Sequence, residues 1–249
     1  MEPVSLFKRA IAELVGTYVL VFLGTGTVVV AALINKGWIP YPGNKFGVGF
    51  DIAAWFAIGI AFGIAVIAMI YAFGHISGTH INPAVSVALW ATKRMPANDM
   101  AAYVIAQLIG ATLASTSLAI ILGSRAVDTG LAATGMFDGV SYAQAIFCEA
   151  VATFILVLTI MGSAVDKRAP GGFAGLAIGL VVAADIVTIG NITGASMNPA
   201  RTFGPYLADS LFGGPNMWAQ FPIYVIGPIV GGVIAALLYD YIAEPKKLK

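Results

Sequence analysis

Charge is what this sequence has least of. Asp, Glu, Lys and Arg make up only 10% of its 249 residues, hydrophobic residues make up 59%, and mean hydropathy is +0.90. A soluble domain carries roughly a quarter charged residues, so the composition points to a lipid-embedded chain. The formal net charge is +1 and no basic run is longer than the two-residue pairs and the Lys-rich tail, which gives a nucleic acid nothing to hold. The one cysteine, Cys148, has no partner, which excludes a disulfide and a Cys-based metal site; no cofactor is implied. No nucleophile stands at a recognisable spacing from a base, so nothing suggests an enzyme. The first apolar run lacks a small-residue cleavage site and matches the later ones in length, which favours a retained span over a removable leader.

About 20 apolar helical residues cross a bilayer core. Uncharged runs of that length occur at 14–34, 52–73, 101–123 and 212–239, and two more hold one acid each: 141–165 with Glu149 and 171–190 with Asp185. Six helical spans are predicted, since lipid offers the backbone no hydrogen-bond partner. With the N-terminus in the cytoplasm, that side receives Lys8, Arg9, Lys93, Arg94, Lys167, Arg168, Lys246, Lys247 and Lys249, and the other side receives Lys36, Lys45 and Arg125. This positive-inside bias places both termini in the cytoplasm.

The two halves of the chain repeat one another. Glu13 and Thr17 answer to Glu149 and Thr153 at an offset of 136, and Gly59, Gly63 and Gly78 answer to Gly175, Gly179 and Gly194 at an offset of 116. Asn82-Pro83-Ala84 recurs at the same offset as Asn198-Pro199-Ala200. An odd number of spans, three, separates equivalent points, so the second half is inverted. The chain reads as one all-α transmembrane domain over 1–249, with repeat 1 at about 8–122 and repeat 2 at about 141–243. The glycine pairs have the small-xxx-small spacing of close helix packing, and that is their expected role.

Each Asn-Pro-Ala opens a segment too short to span, 83–92 and 199–207. A ten-residue helix is roughly 15 Å long, so two placed end to end match a core of about 30 Å. Asparagine suits the helix cap and proline the first turn. The segments are therefore predicted to be two re-entrant half-helices that start near the midplane and leave by opposite faces. Gly78 to Ile81 and Gly194 to Met197 then become non-helical backbone at membrane depth, tolerated only where it is buried or lines a watery cavity.

These motifs, 77–85 and 194–205, together with the matched Glu-x-x-x-Thr patterns, resemble the two signatures of the aquaporin (major intrinsic protein) family, in its archaeal type, over essentially the whole chain. The resemblance implies a passive pore for water, with glycerol or another small neutral solute as a further candidate, that excludes protons and ions. It also implies a homotetramer in a cell membrane with one pore per subunit. Carbonyls of Gly78, Thr79, His80, Ile81, Gly194, Ala195, Ser196 and Met197 would line the pore, and the amides of Asn82 and Asn198 would donate to passing water. By position, Phe62, Ile186, Ala195 and Arg201 would form the selectivity filter; the alternative for Arg201 is snorkelling to the surface. Water-selective members usually have histidine where Ile186 stands, and glycerol channels an aspartate where Thr202 stands, so neither pattern is complete.

Glu13 and Glu149 are expected to face protein and to accept N–H groups of the re-entrant loops; a proton relay is the other reading. His80 is expected to brace its loop, and His75, matched by Asn191, to make a structural hydrogen bond. Asp185 has no counterpart in the first half and is expected as a vestibule carboxylate near Arg201, with a lipid-headgroup or subunit contact as the other reading. A secondary transporter, which also uses inverted repeats and broken helices, is the main rival, with Glu13, Glu149 and Asp185 as its coupling candidates. An ion channel is disfavoured by Arg201 and by helix starts that converge.

Overall fold

The computed structural model describes residues 4–36 and 50–243, so Lys45, Lys246, Lys247 and Lys249 lie outside the described residues. Among the described residues it is all helix: α1 (Leu6–Asn35), α2 (Ile52–Ser77), α3 (Pro83–Ala91), α4 (Ala97–Leu122), α5 (Ser124–Val127), α6 (Tyr142–Ile160, continued by a π turn, Met161–Val165), α7 (Ala174–Thr193), α8 (Pro199–Phe212) and α9 (Ile223–Ala243). Six of them (α1, α2, α4, α6, α7 and α9) are long and apolar enough to cross a membrane. Leu, Ile and Phe side chains stay exposed along their outer faces, as lipid contact requires.

Packing follows the repeat. Helix α1 lies against α2 and α4, α6 lies against α7 and α9, and α2 meets α7 between the halves. Where α2 and α7 meet there is no room for side chains: a Cβ on Gly63 would sit 2.6 Å from the Gly179 carbonyl oxygen, and one on Gly59 would sit 2.7 Å from that of Ala183. The small-residue spacing thus serves backbone contact. The half-helices are exchanged, α3 packing on α9 and α8 on α4.

Two boundaries differ from expectation. Helix α8 runs five residues past Leu207, because Asp209 is fully buried in protein instead of marking the surface, and the helix stops at left-handed Gly213. The apolar run 212–239 is therefore not one span. Phe212 closes α8, the chain turns through Trp218–Gln220, and α9 begins at Ile223.

At one end of the bundle Arg9 pairs with Asp99 and Arg94 with Asp240. Also at that end, in the α6–α7 loop, Arg168 pairs with Asp166 and reaches the carbonyl of Ala243. The Arg168 guanidinium, then its backbone N–H and then the Tyr239 hydroxyl hold the Asp166 carboxyl below the usual carboxylate range.

Candidate functional site

Each half-helix is capped as its sequence dictates. Asn82 Oδ1 accepts from the Ala84 N–H at 2.9 Å, and Asn198 Oδ1 accepts from Ala200 and Arg201 at 3.0 and 3.2 Å, with proline at the first helical position of both. The amides then cross between the halves. Asn82 Nδ2 donates to the Met197 carbonyl and Asn198 Nδ2 to the Ile81 carbonyl, both at 2.8 Å. Each amide keeps one N–H for another acceptor.

The loops before the caps use the same unusual backbone twice. Gly78, Thr79 and Ile81 have φ of +85°, +48° and +43°, and Gly194, Ala195 and Met197 have +78°, +49° and +53°. A left-handed conformation is costly for non-glycine residues. The buried glutamates offset that cost by taking the loops' N–H groups. Glu13 accepts from Ser77 Oγ and the His80 N–H on one oxygen, and from the Ile81 N–H and Gln107 Nε2 on the other. Glu149 accepts from Thr193 Oγ1 and the Ser196 N–H on one oxygen, and from the Met197 N–H on the other. Tyr103 and Tyr224 hold the Ser77 and Thr193 carbonyls at 2.8 Å in both halves. His80 Nδ1 lies 3.0 Å from Ser86 Oγ, a brace from the loop to α3.

A cavity of about 190 Å³ runs along these loops. Gly78, Thr79, His80 and Ile81 line it on one side, and Ala195, Ser196 and Met197 line it on the other, with Asn82 and Asn198 between. Gly194 instead packs behind the wall, where its Cα faces Thr134. Phe62, Ile186, Ala195 and Arg201 all reach the cavity. Arg201 is 3% exposed and does not snorkel; its Nη1 donates to the Ala132 carbonyl at 3.0 Å, and its Cζ stands 5.2 Å from the Phe62 ring centroid. The remainder of the wall is aliphatic, including Leu20, Val66, Leu156 and Val182. Sequence reasoning missed these four, although Leu156 follows Leu20 by 136 residues and Val182 follows Val66 by 116, the offsets of the motifs themselves. It also missed Gly24 of α1, where a Cβ would stand 2.3 Å from the Phe62 ring.

Asp185 is a correction. It is buried, is absent from the cavity lining, makes no ion pair with Arg201 among the described residues, and leaves Oδ2 without a partner. Helical periodicity shows that a residue is one turn from the wall but not which neighbour its side chain meets. His75 is another correction. Its side chain is exposed and makes no hydrogen bond among the described residues, whereas Asn191 accepts from the Trp55 indole at 2.6 Å.

A pair of crossed, capped half-helices on inverted halves is a specific arrangement, and the Major intrinsic protein family profile matches it over residues 1–239. The chain belongs to the major intrinsic protein family. Its relatives include Aquaporin AqpM of Methanothermobacter thermautotrophicus, 55% identical over 97% of this chain and 99% of the relative. Aquaporin Z of Photorhabdus laumondii is 40% identical over 94% of this chain and 98% of the relative. Among solved structures, the aquaglyceroporin from Plasmodium falciparum superposes with a TM-score of 0.78 at 27% identity, covering 96% of this chain and 97% of that one. This major intrinsic protein is an integral, multi-pass membrane protein and a water or small-solute channel.

Proposed function

We propose that the 190 Å³ cavity is a single-file pore that passes water, admits glycerol or a similar small neutral solute more slowly, and excludes protons and ions. The observation that carries this reading is the pair of crossed bonds from Asn82 to Met197 and from Asn198 to Ile81. They bring two helix starts together and leave one amide N–H on each asparagine to bind a passing water oxygen, with carbonyls of the loops as acceptors on either side. A helix N-terminus carries about half a positive charge, which at about 4 Å and an effective dielectric of about 20 opposes a cation by roughly 2 kcal/mol. Arg201 adds a full charge beside Phe62. A neutral solute does not feel that field.

Phe62, Ile186, Ala195 and Arg201 form the filter in this reading, and Ile186 makes it less polar than a strict water filter. The pairing of Arg9, Arg94 and Arg168 at one end of the bundle supports a cytoplasmic location for that end and for both termini. The two repeats act as one channel domain per subunit, and family membership supports a homotetramer with one pore per subunit in the cell membrane. Its partners are then membrane lipids, water and small neutral solutes, and its role is conduction, not an enzyme's.

Proteoliposomes test the reading by stopped-flow light scattering. Sucrose shrinkage should be fast with no proton or sodium gradient and should not saturate, and glycerol re-entry should be slower but above that of empty vesicles. Saturating, gradient-dependent flux would replace the pore with a secondary transporter.

A further inference from the structure

The segment between the two repeats belongs to neither, yet three of its atoms hold side chains of α8, one of which, Arg201, lines the cavity. The Ala132 carbonyl accepts from Arg201, the Thr134 carbonyl accepts from the Tyr206 hydroxyl at 2.8 Å, and Thr134 Oγ1 lies 2.8 Å from Thr202 Oγ1. Thr202 Oγ1 is in turn 2.7 Å from Ser196 Oγ. Ser196 Oγ donates to the Asn198 carbonyl at 2.9 Å, and a hydroxyl has a single proton to give. Thr202 must therefore donate to Ser196, and Thr134 must donate to Thr202. The proton order is fixed from the linker inward, and Thr134, Ser196 and Thr202 are all buried. The Thr134 Cβ and Cγ2 also back onto Gly194, where an added Cβ would meet them at 3.3 Å.

The first half has no such outside hold. There His80 meets Ser86 as Ser196 meets Thr202, but the third member is Gln107, from α4 of the same half. Ala195, the filter residue, thus lies between Gly194, which Thr134 backs, and Ser196, which Thr134 reaches through Thr202.

We propose that Thr134 is a positioning residue that sets the aperture at Ala195 and Arg201, so that solute cut-off is determined by the inter-repeat linker as well as by the four filter side chains. The inference rests on the channel reading given above. Removing the hydroxyl frees the end of the chain that clamps Ser196, and the aperture loosens.

The test is the ratio of glycerol to water permeability in proteoliposomes. Thr134→Val keeps the methyl against Gly194 and removes the donor; its ratio should rise at least threefold while water permeability stays within about twofold. Thr134→Ser, which restores the hydroxyl, should return the ratio to the unsubstituted value, and Thr202→Ala should raise it as Thr134→Val does. A purely structural role would lower both permeabilities in proportion or affect Thr134→Ser and Thr134→Val alike, and either result overturns the proposal. If Thr134→Val fails to insert, an unchanged ratio in Thr202→Ala overturns it. Failure of the channel reading is separate, since the unsubstituted protein would then shrink its vesicles no faster than empty ones.

Discussion

The two halves of this channel share a backbone and differ in charge. At the offset that equates Asn82 with Asn198, the proposed filter residues Phe62, Ile186, Ala195 and Arg201 answer to Ile178, Ile70, Thr79 and Val85, and all eight line the cavity. The set around Val85 is aliphatic apart from one threonine, whereas the set around Arg201 has an arginine over a phenylalanine. The glutamates invert this imbalance. Tyr224 and Pro228 stand 121 residues after Tyr103 and Gln107, so a proline occupies the place from which Gln107 donates to Glu13. Glu13 takes four donors and Glu149 three. The halves thus share what shapes the loops and differ in the side chains that line the cavity.

The most damaging way to break the comparison is to remove a carboxylate. Glu13→Ala leaves the His80 and Ile81 N–H groups buried and unpaired, and Glu149→Ala does so to Ser196 and Met197. Removing a buried charged partner costs about 3–5 kcal/mol, and Glu13→Ala should exceed Glu149→Ala by about 1 kcal/mol for its extra donor. Unfolding in mixed micelles measures both, and equal losses would mean that the fourth donor contributes nothing.

Arg201→Val would make that end of the cavity resemble the other, with Val85 as its counterpart. A unit charge about 5 Å away at an effective dielectric of about 20 opposes a cation by roughly 3 kcal/mol. Proton or cation leak into proteoliposomes should therefore rise on the order of a hundredfold, with water permeability little changed. An unaltered leak would assign ion exclusion to the helix starts alone.

A gentler substitution, Gln107→Leu, gives Glu13 three donors, as Glu149 has. Gln107 Oε1 is buried without a partner, so its loss recovers part of what the bond contributed. The net cost should be about 1 kcal/mol, read from the same unfolding curves, and a loss as large as that of Glu13→Ala would show that Gln107 has another role.

The smallest effect concerns the α6–α7 loop, across which the offset between the repeats changes from 136 to 116. Because Arg168 depresses the Asp166 pKa in the folded state, their anchor is present above the ordinary carboxylate pKa of about 3.9 and is lost only on acidification below it. Amide-exchange protection of residues 166–172, corrected for intrinsic rate, should match at pH 5 and pH 8 and fall at both in Asp166→Asn. A change between those two pH values would remove Asp166 as the anchor.

The sequence made the membrane helices, the half-helices and the paired acids legible, because each depends on local run length, capping chemistry or the repeat. The end of α8 and the start of α9 were legible in Gly213-Gly214-Pro215-Asn216, but counting uncharged residues alone ran 212–239 together because that turn carries no charge. The sequence could not reveal left-handed backbone at Thr79, Ile81, Ala195 and Met197, where no residue type favours it and the glutamates enforce it from elsewhere. The partner of Arg201 was hidden for a similar reason, being a main-chain oxygen in a linker with no repeat to compare it with.

The crossed asparagine bonds also bear on how the chain is made. Asn82 must wait for an acceptor 115 residues further on. At a synthesis rate of about 5–20 residues per second, that is a delay of roughly 6–23 s after it leaves the ribosome's catalytic centre. For that interval the first loop is provisional, and the nascent channel cannot close its centre until the second half has been threaded into the bilayer.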